Sequence, residues 1–419
     1  MLENHEKDMA GRKLMEPERK TMGIKNLVRS VKNRADTIAR WLFRPFWRFF
    51  PINPRKVVCF SFGGMFHADS PALITDAMLA KHPDLDVVWL VHWDAPQGKI
   101  GNCRAVRKTT WRALWEVATA RIWISNQRMR HPFPKKRGQF YLQTWHAGIS
   151  LKAVEWDAAD TLPPEYLGYM ETDNRYCDLM LSGSAFCTRL FRTAFRFGGE
   201  ILECGMPRMD SLFHPDAAKT AAVRAQYGLT PDDTVVLYAP TFRQDFGRQV
   251  FITDFSELSA AFAKATGKRT KILFRLHPCV QPLYRGLALG EDVLDAMATP
   301  DIQDLYGVAD FLVTDYSGSM FDFALLGKPV FLLMEDLEAY TRERRLYFRP
   351  EELPFPVARS RQELIAAVER VHDDAAMWKE KVDAFLKQLD MHETGQATRI
   401  AAERILREME PSASPGQSL

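Results

Sequence analysis

The sequence is short of several things, and each shortage excludes a class of protein. Among its 419 residues are only six cysteines, Cys59, Cys103, Cys177, Cys187, Cys204 and Cys279, with no Cys-x-x-Cys pair. That spacing argues against a zinc ribbon or finger, and cysteines set in or beside apolar runs read as small buried hydrophobes. No secretory leader precedes the first apolar strand, which favours a reduced, cytosolic setting. A run of about 18 apolar residues is also missing, so no spanning helix is expected. Charge of one sign is scarce: 56 basic and 53 acidic side chains leave a net charge of +3, which does not suggest a nucleic-acid binder. The Gly63-Gly64 turn is part of neither Gly-x-Gly-x-x-Gly nor a Lys-Ser/Thr-terminated loop, so a dinucleotide or P-loop fingerprint is set aside.

What is present suits a globular protein of roughly two to three domains, with 46% apolar and 26% charged residues. Residues 1–21 are polar and expected to be disordered. Residues 22–50 carry Lys25, Arg29, Lys32, Arg34, Arg40, Arg44 and Arg48 against one acid, Asp36, together with Trp41, Phe43, Phe46, Trp47, Phe49 and Phe50. A basic helix with Trp and Phe along it has the composition of an interfacial membrane anchor that faces anionic lipid. The alternative is a helix that packs its aromatics on the body of the protein. Pro51 and Pro54 end it.

Strands alternating with helices follow, the pattern of parallel sheets with helices on both faces. A first α/β domain is expected over residues 55–215, with strands at Lys56–Phe62, Val87–His92, Arg121–Ser125, Tyr141–His146, Asp178–Gly183 and Ile201–Cys204, and with Ser70 capping a helix that runs to about Lys81. A polar crossover leads to a second α/β domain over 230–408, with strands at Thr234–Thr241, Lys271–His277, Phe311–Thr314 and Pro329–Met334. Helices fill Glu363–Leu406, and residues 409–419 form a disordered tail.

In such folds ligands bind beyond the carboxyl ends of the strands, and several of these ends carry reactive side chains. His146 follows one strand and titrates near neutrality, as a general base must. A core histidine bonded to backbone is the alternative. Arg243 ends another strand, its planar fork suited to phosphate, or else held in a surface ion pair. His277 ends a third, with Arg275 two residues earlier on the same face. Thr314-Asp315-Tyr316-Ser317-Gly318-Ser319 leads from a strand into a helix expected at about Met320–Leu326. The N–H groups and positive dipole there suit a phosphate without a metal, with Ser317 and Ser319 adding hydroxyls, unless the serines only cap the helix. Glu335-Asp336-Leu337-Glu338 lacks a His or Cys partner, so no metal site is expected there, and no cofactor is called for.

The spelling of these segments adds to the pattern. Gln143-Thr-Trp-His-Ala-Gly148 with Leu151-Lys152, Gly205-Met-Pro-Arg208, Tyr238-Ala-Pro-Thr-Phe-Arg243, Phe274-Arg-Leu-His277, Thr314-Asp-Tyr-Ser317 before Phe321-Asp-Phe323, and Leu337-Glu-Ala-Tyr340 occur in order. Over about residues 120–405 the chain resembles the CDP-glycerol glycerophosphotransferase family, the primases and polymerases of wall teichoic acid and related capsule polymers. It departs from the family at Ala147-Gly148-Ile149, usually Gly-Thr-Pro, and at Pro278, often an aromatic.

The resemblance implies a GT-B-like fold, two Rossmann-type domains around a cleft, and transfer of glycerol phosphate from CDP-glycerol, or a related CDP-polyol, to a hydroxyl on a lipid-linked glycan or polyol-phosphate acceptor. It implies His146 and His277 as catalytic residues. It implies Gly148, Lys152, Arg208, Thr241, Arg243, Arg275, Asp315, Tyr316, Ser317, Gly318, Ser319 and Asp322 at the substrates, with no metal. It also implies a peripheral enzyme on the cytoplasmic face of the membrane. The alternatives are a nucleotide-sugar-dependent GT-B glycosyltransferase of cell-surface polysaccharide synthesis and a non-catalytic membrane scaffold. The sequence leaves the oligomeric state open.

Overall fold

Runs of Val, Ile, Leu and aromatic residues recur at intervals that leave room for a helix between them, and each becomes a strand buried on both faces. The computed structural model describes residues 45–93, 98–131, 133–243, 254–276 and 290–410, with residues 38, 42, 43 and 252. His277, most of the basic segment 22–50 and the tail from 411 lie outside these residues.

Fourteen strands are described: β1 (Asn53–Phe60), β2 (Asp86–Val91), β3 (Gly98–Ile100), β4 (Cys103–Arg107), β5 (Ala120–Ser125), β6 (Phe140–Gln143), β7 (Leu179–Ser182), β8 (Glu200–Glu203), β9 (Asp233–Tyr238), β10 (Arg269–Phe274), β11 (Val293–Asp295), β12 (Phe311–Thr314), β13 (Val330–Leu333) and β14 (Val357–Ala358). The first eight form one sheet in the order β3-β4-β2-β1-β5-β6-β7-β8, and the last six form another in the order β11-β10-β9-β12-β13-β14. Every pairing is parallel except β3 with β4. Parallel sheets of this kind need helices on both faces, which explains the unbroken apolar runs.

The strand ends differ from expectation in detail. β6 stops at Gln143, and the chain is already turning at Trp145, whose φ is +55°. Ser70 does not cap its helix: the helix spans Asp69–Lys81 behind Ala68, and the Ser70 hydroxyl instead accepts the Arg208 N–H at 3.4 Å. The helix after β12 is six residues long, Ser319–Ala324. The C-terminal helical region is three helices, Arg361–Glu369, Ala375–Leu389 and Ala397–Met409.

The last of these packs on the first sheet. Ala397, Ala401, Ala402 and Ile405 are buried in one cluster with Val57, Ile122 and Leu142. Asp210 caps it, accepting the N–H groups of Ala397 and Thr398 at 3.0 and 2.7 Å. The chain therefore passes between the sheets twice, once after β8 and once before Ala397.

Among the residues of the expected amphipathic segment, Trp47 is buried and stacks on Phe133 with ring centroids 5.2 Å apart. Phe50 stacks on Phe43 at 4.9 Å and meets Trp115 edge-on at 4.6 Å. Those aromatics pack on the body, whereas Phe46 and Phe49 are exposed. Among the described residues no helix is long and apolar enough to cross a membrane.

Candidate functional site

The loop after β6 crosses from the first sheet to the second. Its partners are backbone groups: Ala153 donates to the Arg345 carbonyl and Tyr347 to the Leu151 carbonyl, each at 2.8 Å. Gly318, in the turn after β12, comes so near that a Cβ there would lie 2.9 Å from the Ile149 carbonyl oxygen. A side chain at Gly318 would push the two loops apart. Gly148 lies beside Asp322 and Arg208. These contacts bring the strand ends of both sheets to one cleft.

His146 stands in that cleft. Its Nδ1 lies 2.9 Å from the Asn126 carbonyl oxygen, an acceptor, so Nδ1 carries the proton and Nε2 is free to take one. The residue keeps solvent access, yet protein surrounds much of the ring. That burial, with the charges of Arg208 and Lys152, holds its pKa below the usual histidine value against the opposing effects of the Asn126 bond and Glu155. The imidazole is neutral at neutral pH, the form a base needs. Phe62 faces it edge-on with ring centroids 6.4 Å apart.

Lys152 enters the same cleft from the other end of the loop. Burial lowers its pKa to about 8, with Arg344 and Arg243 acting in the same sense and Asp315 against them. Among the described residues its ammonium forms no ion pair or hydrogen bond.

Arg208 is buried, donating through Nη2 to Asp322 at 2.8 Å, and Asp69 adds a second carboxylate nearby. Its Nε finds no acceptor among the described residues. Asp69 and Asp322 are both raised in pKa, by burial first, with Arg208 opposing. Asp69 was not singled out by the sequence. Its φ of +65° turns it inward at the start of its helix, and its N–H donates to Asp301 at 3.0 Å. Asn126, which fixes the His146 tautomer, was also missed. The available signal was its place immediately after β5, a strand end like the others.

Arg243 is placed differently from the expectation of a free phosphate ligand. Its fork grips Asp336, Nε to Oδ2 at 2.7 Å and Nη2 to Oδ1 at 3.0 Å, while Nη1 donates to Asp315 at 3.0 Å and to the Thr241 carbonyl at 2.6 Å. Asp315 in turn accepts the N–H groups of Thr241 at 2.8 Å and Tyr316 at 2.6 Å. Tyr316 stacks on Tyr340 at 3.7 Å and donates to Asp336 at 3.1 Å. These groups lock the turns after β9, β12 and β13 together, and they wall a recess lined by Tyr238, Pro240, Arg243, Thr314, Asp315, Leu333 and Glu335. The buried Thr241 hydroxyl has no partner among the described residues. Asp336, 93 residues from Arg243, is a partner that no local pattern reveals.

Arg275 is likewise committed to protein, donating to the carbonyls of Ala296, Thr299 and Pro300. Burial depresses its pKa, since no carboxylate pairs with it directly. Ser319 donates from its hydroxyl to the Ser317 hydroxyl at 2.9 Å. The N–H groups of Ser317 and Gly318 meet no acceptor among the described residues. His277 lies outside the described residues.

Two Rossmann-type sheets joined by a polar cleft, with a neutral histidine and a lysine ammonium on one loop and, across from them, N–H groups that meet no acceptor among the described residues, define a GT-B-like transferase. The family described as CDP-Glycerol:Poly(glycerophosphate) glycerophosphotransferase matches residues 42–408, and the chain belongs to it. The teichoic acid poly(glycerol phosphate) polymerase of Staphylococcus epidermidis is 27% identical over 418 residues, 97% of this chain and 57% of that protein. The teichoic acid glycerol-phosphate transferase of Staphylococcus aureus is 29% identical over 370 residues, 85% of this chain and 94% of that protein. Among solved structures, a variant of the wall teichoic acid polymerase TagF soaked with CDPG aligns with a TM-score of 0.80 at 26% identity, covering 92% of this chain and 97% of that one. The chain spans about half the length of two poly(glycerol phosphate) polymerases it resembles, 57% and 44%.

Proposed function

We propose that this protein transfers glycerol phosphate, or a related polyol phosphate, from CDP-glycerol to a hydroxyl of a lipid-linked acceptor in the synthesis of a teichoic-acid-like or capsular polymer, releasing CMP. The observation that carries the reading is the 2.9 Å contact of His146 Nδ1 with the Asn126 carbonyl, which leaves Nε2 unprotonated in the cleft. The acceptor O–H proton passes to Nε2 and its oxygen attacks the β-phosphorus. The bond from that phosphorus to the bridging oxygen breaks, and CMP departs with the electron pair. Charge that develops on the phosphates meets Lys152 and the free N–H groups of Ser317 and Gly318, fixed dipoles and charge of the sort that stabilise phosphoryl transfer. Arg243, Asp315 and Tyr316 act one step back, holding the turns that aim those groups. Family membership supports a role for His277 at the diphosphate.

The site acts at the cytoplasmic face of the membrane, where the basic segment 22–50 meets anionic lipid. The test is product analysis after incubation with CDP-glycerol and a lipid-linked acceptor, with CDP-ribitol and UDP-sugars in parallel. Glycerol phosphate on the acceptor and CMP in solution are expected. Turnover of a UDP-sugar alone would replace this reading with that of a glycosyltransferase.

A further inference from the structure

On the first sheet, three side chains that take no part in the proposed transfer converge from three elements. His67 lies in the turn between β1 and the helix Asp69–Lys81, Asp76 is on that helix, and Cys103 opens β4. His67 Nε2 is 3.9 Å from Cys103 Sγ and 3.7 Å from an Asp76 carboxylate oxygen, and one ligand atom from each lies within 4.8 Å of the others. Donor atoms at about 2.0–2.3 Å from a tetrahedral metal stand roughly 3.3–3.8 Å apart, so only small side-chain adjustments separate this cluster from a coordination shell. We propose that His67, Asp76 and Cys103 bind one divalent cation of the zinc class, with water completing the shell on the open side of Asp76.

Two further features point to a ligand here. The Trp89 indole N–H is buried in one cluster with Cys103 and meets no acceptor among the described residues. A metal-bound thiolate is the acceptor that this donor lacks, the kind of outer-shell bond that metal sites regularly use. The Trp89 ring also packs against His67 with centroids 4.6 Å apart, and Gly101 closes over the His67 imidazole so tightly that a Cβ would lie 3.0 Å from it. The imidazole is held in place.

The donor set, imidazole with thiolate and carboxylate, suits zinc and its neighbours rather than magnesium or calcium. Binding breaks the Cys103 S–H bond, forms the sulfur–metal bond and releases the proton to solvent. No cysteine spacing announces such a site, because each ligand comes from a different element. Its effect is structural. It ties the turn holding Phe62, which faces His146, to the helix and to β4.

Cobalt(II) titration of the full chain tests this directly. The expected result is one equivalent bound, with the intense visible bands of tetrahedral cobalt and a thiolate charge-transfer band, together with a rise in thermal midpoint on adding zinc. Cys103→Ser should remove the charge-transfer band, and Asp76→Asn should weaken cobalt binding at least about tenfold. A weak, six-coordinate spectrum from the full chain overturns the proposal, as does a charge-transfer band unchanged in Cys103→Ser. Should Cys103→Ser fail to fold, Asp76→Asn decides, because its half-exposed side chain is replaceable without a core defect; unchanged affinity there overturns the site. None of these readings depends on transferase activity.

Discussion

Arg208 and Asp322 meet at 2.8 Å across the cleft, 114 positions apart in the chain, and both are buried. Breaking such a pair leaves one charge buried alone, at a cost of about 3–5 kcal/mol. Asp322→Ala is therefore expected to lower the urea-unfolding free energy by about that amount. Replacing both members, Arg208→Met with Asp322→Leu, should restore much of the stability. Turnover should stay low in the double variant, because the Arg208 charge also acts on His146. Recovery of turnover with stability would make the pair purely structural.

Removing the His146 imidazole should cost about 10²- to 10⁴-fold in turnover in His146→Ala, with CDP-glycerol binding retained. Near-normal turnover would take His146 out of the mechanism. A base must be unprotonated, so activity falls as pH drops through its pKa. That pKa is lowered, so the acid limb of kcat/KM should lie below the ordinary value of about 6.5. Lys152→Gln removes one of the charges that lower it, and the limb should move to higher pH whatever happens to the absolute rate.

Lys152 itself titrates near pH 8, far below an ordinary lysine. If its ammonium holds a donor phosphate, the donor KM should rise above about pH 8 as the charge is lost. Lys152→Arg keeps its charge to much higher pH and should flatten that alkaline rise. A KM that climbs equally in both proteins would assign the effect to another group.

Because its fork is occupied by Asp336 and Asp315, Arg243 is expected to matter for stability as much as for binding. Arg243→Ala strands two carboxylates and should cost about 3–5 kcal/mol in unfolding free energy. Arg243→Lys should recover only part, since an ammonium cannot make the bidentate contact. If Arg243→Ala weakened donor binding with unfolding unchanged, the arginine would be a direct phosphate ligand after all.

The aromatics near residue 47 divide into two kinds with different expected effects. Trp47→Ala opens a cavity against Phe133 and should destabilise the protein by about 3–5 kcal/mol. Phe46→Ser with Phe49→Ser touches exposed rings and should leave stability within about 0.5 kcal/mol. The double change should nevertheless reduce sedimentation with anionic vesicles, and rising salt should reduce it further. Unaltered vesicle binding would place membrane contact elsewhere.

The central strands were legible in the sequence because a strand buried on both faces must be apolar throughout. Val57–Cys59 and Phe311–Val313 are such runs, and each is closed by turn residues. The edges were not legible. β3 is Gly98-Lys99-Ile100, a short exposed strand with no pattern of its own, and β14 is two residues long. His146 could be placed because a strand must end before it. The commitments of Arg243 and Arg275 could not, since their partners come from distant turns and from backbone carbonyls that carry no side-chain signature. The return of Ala397–Met409 to the first sheet was hidden for a similar reason: its alanine-rich face fits any helical surface equally well.

That return has a mechanical consequence. Two bodies joined by one flexible connection can swivel about every axis. Here the chain bridges them at two separated places, near Asp210–Asp233 and near Asp390–Gln396. The two crossings restrain the halves from both sides, and the close approach of Gly318 to Ile149 and the Arg208–Asp322 pair sit between them.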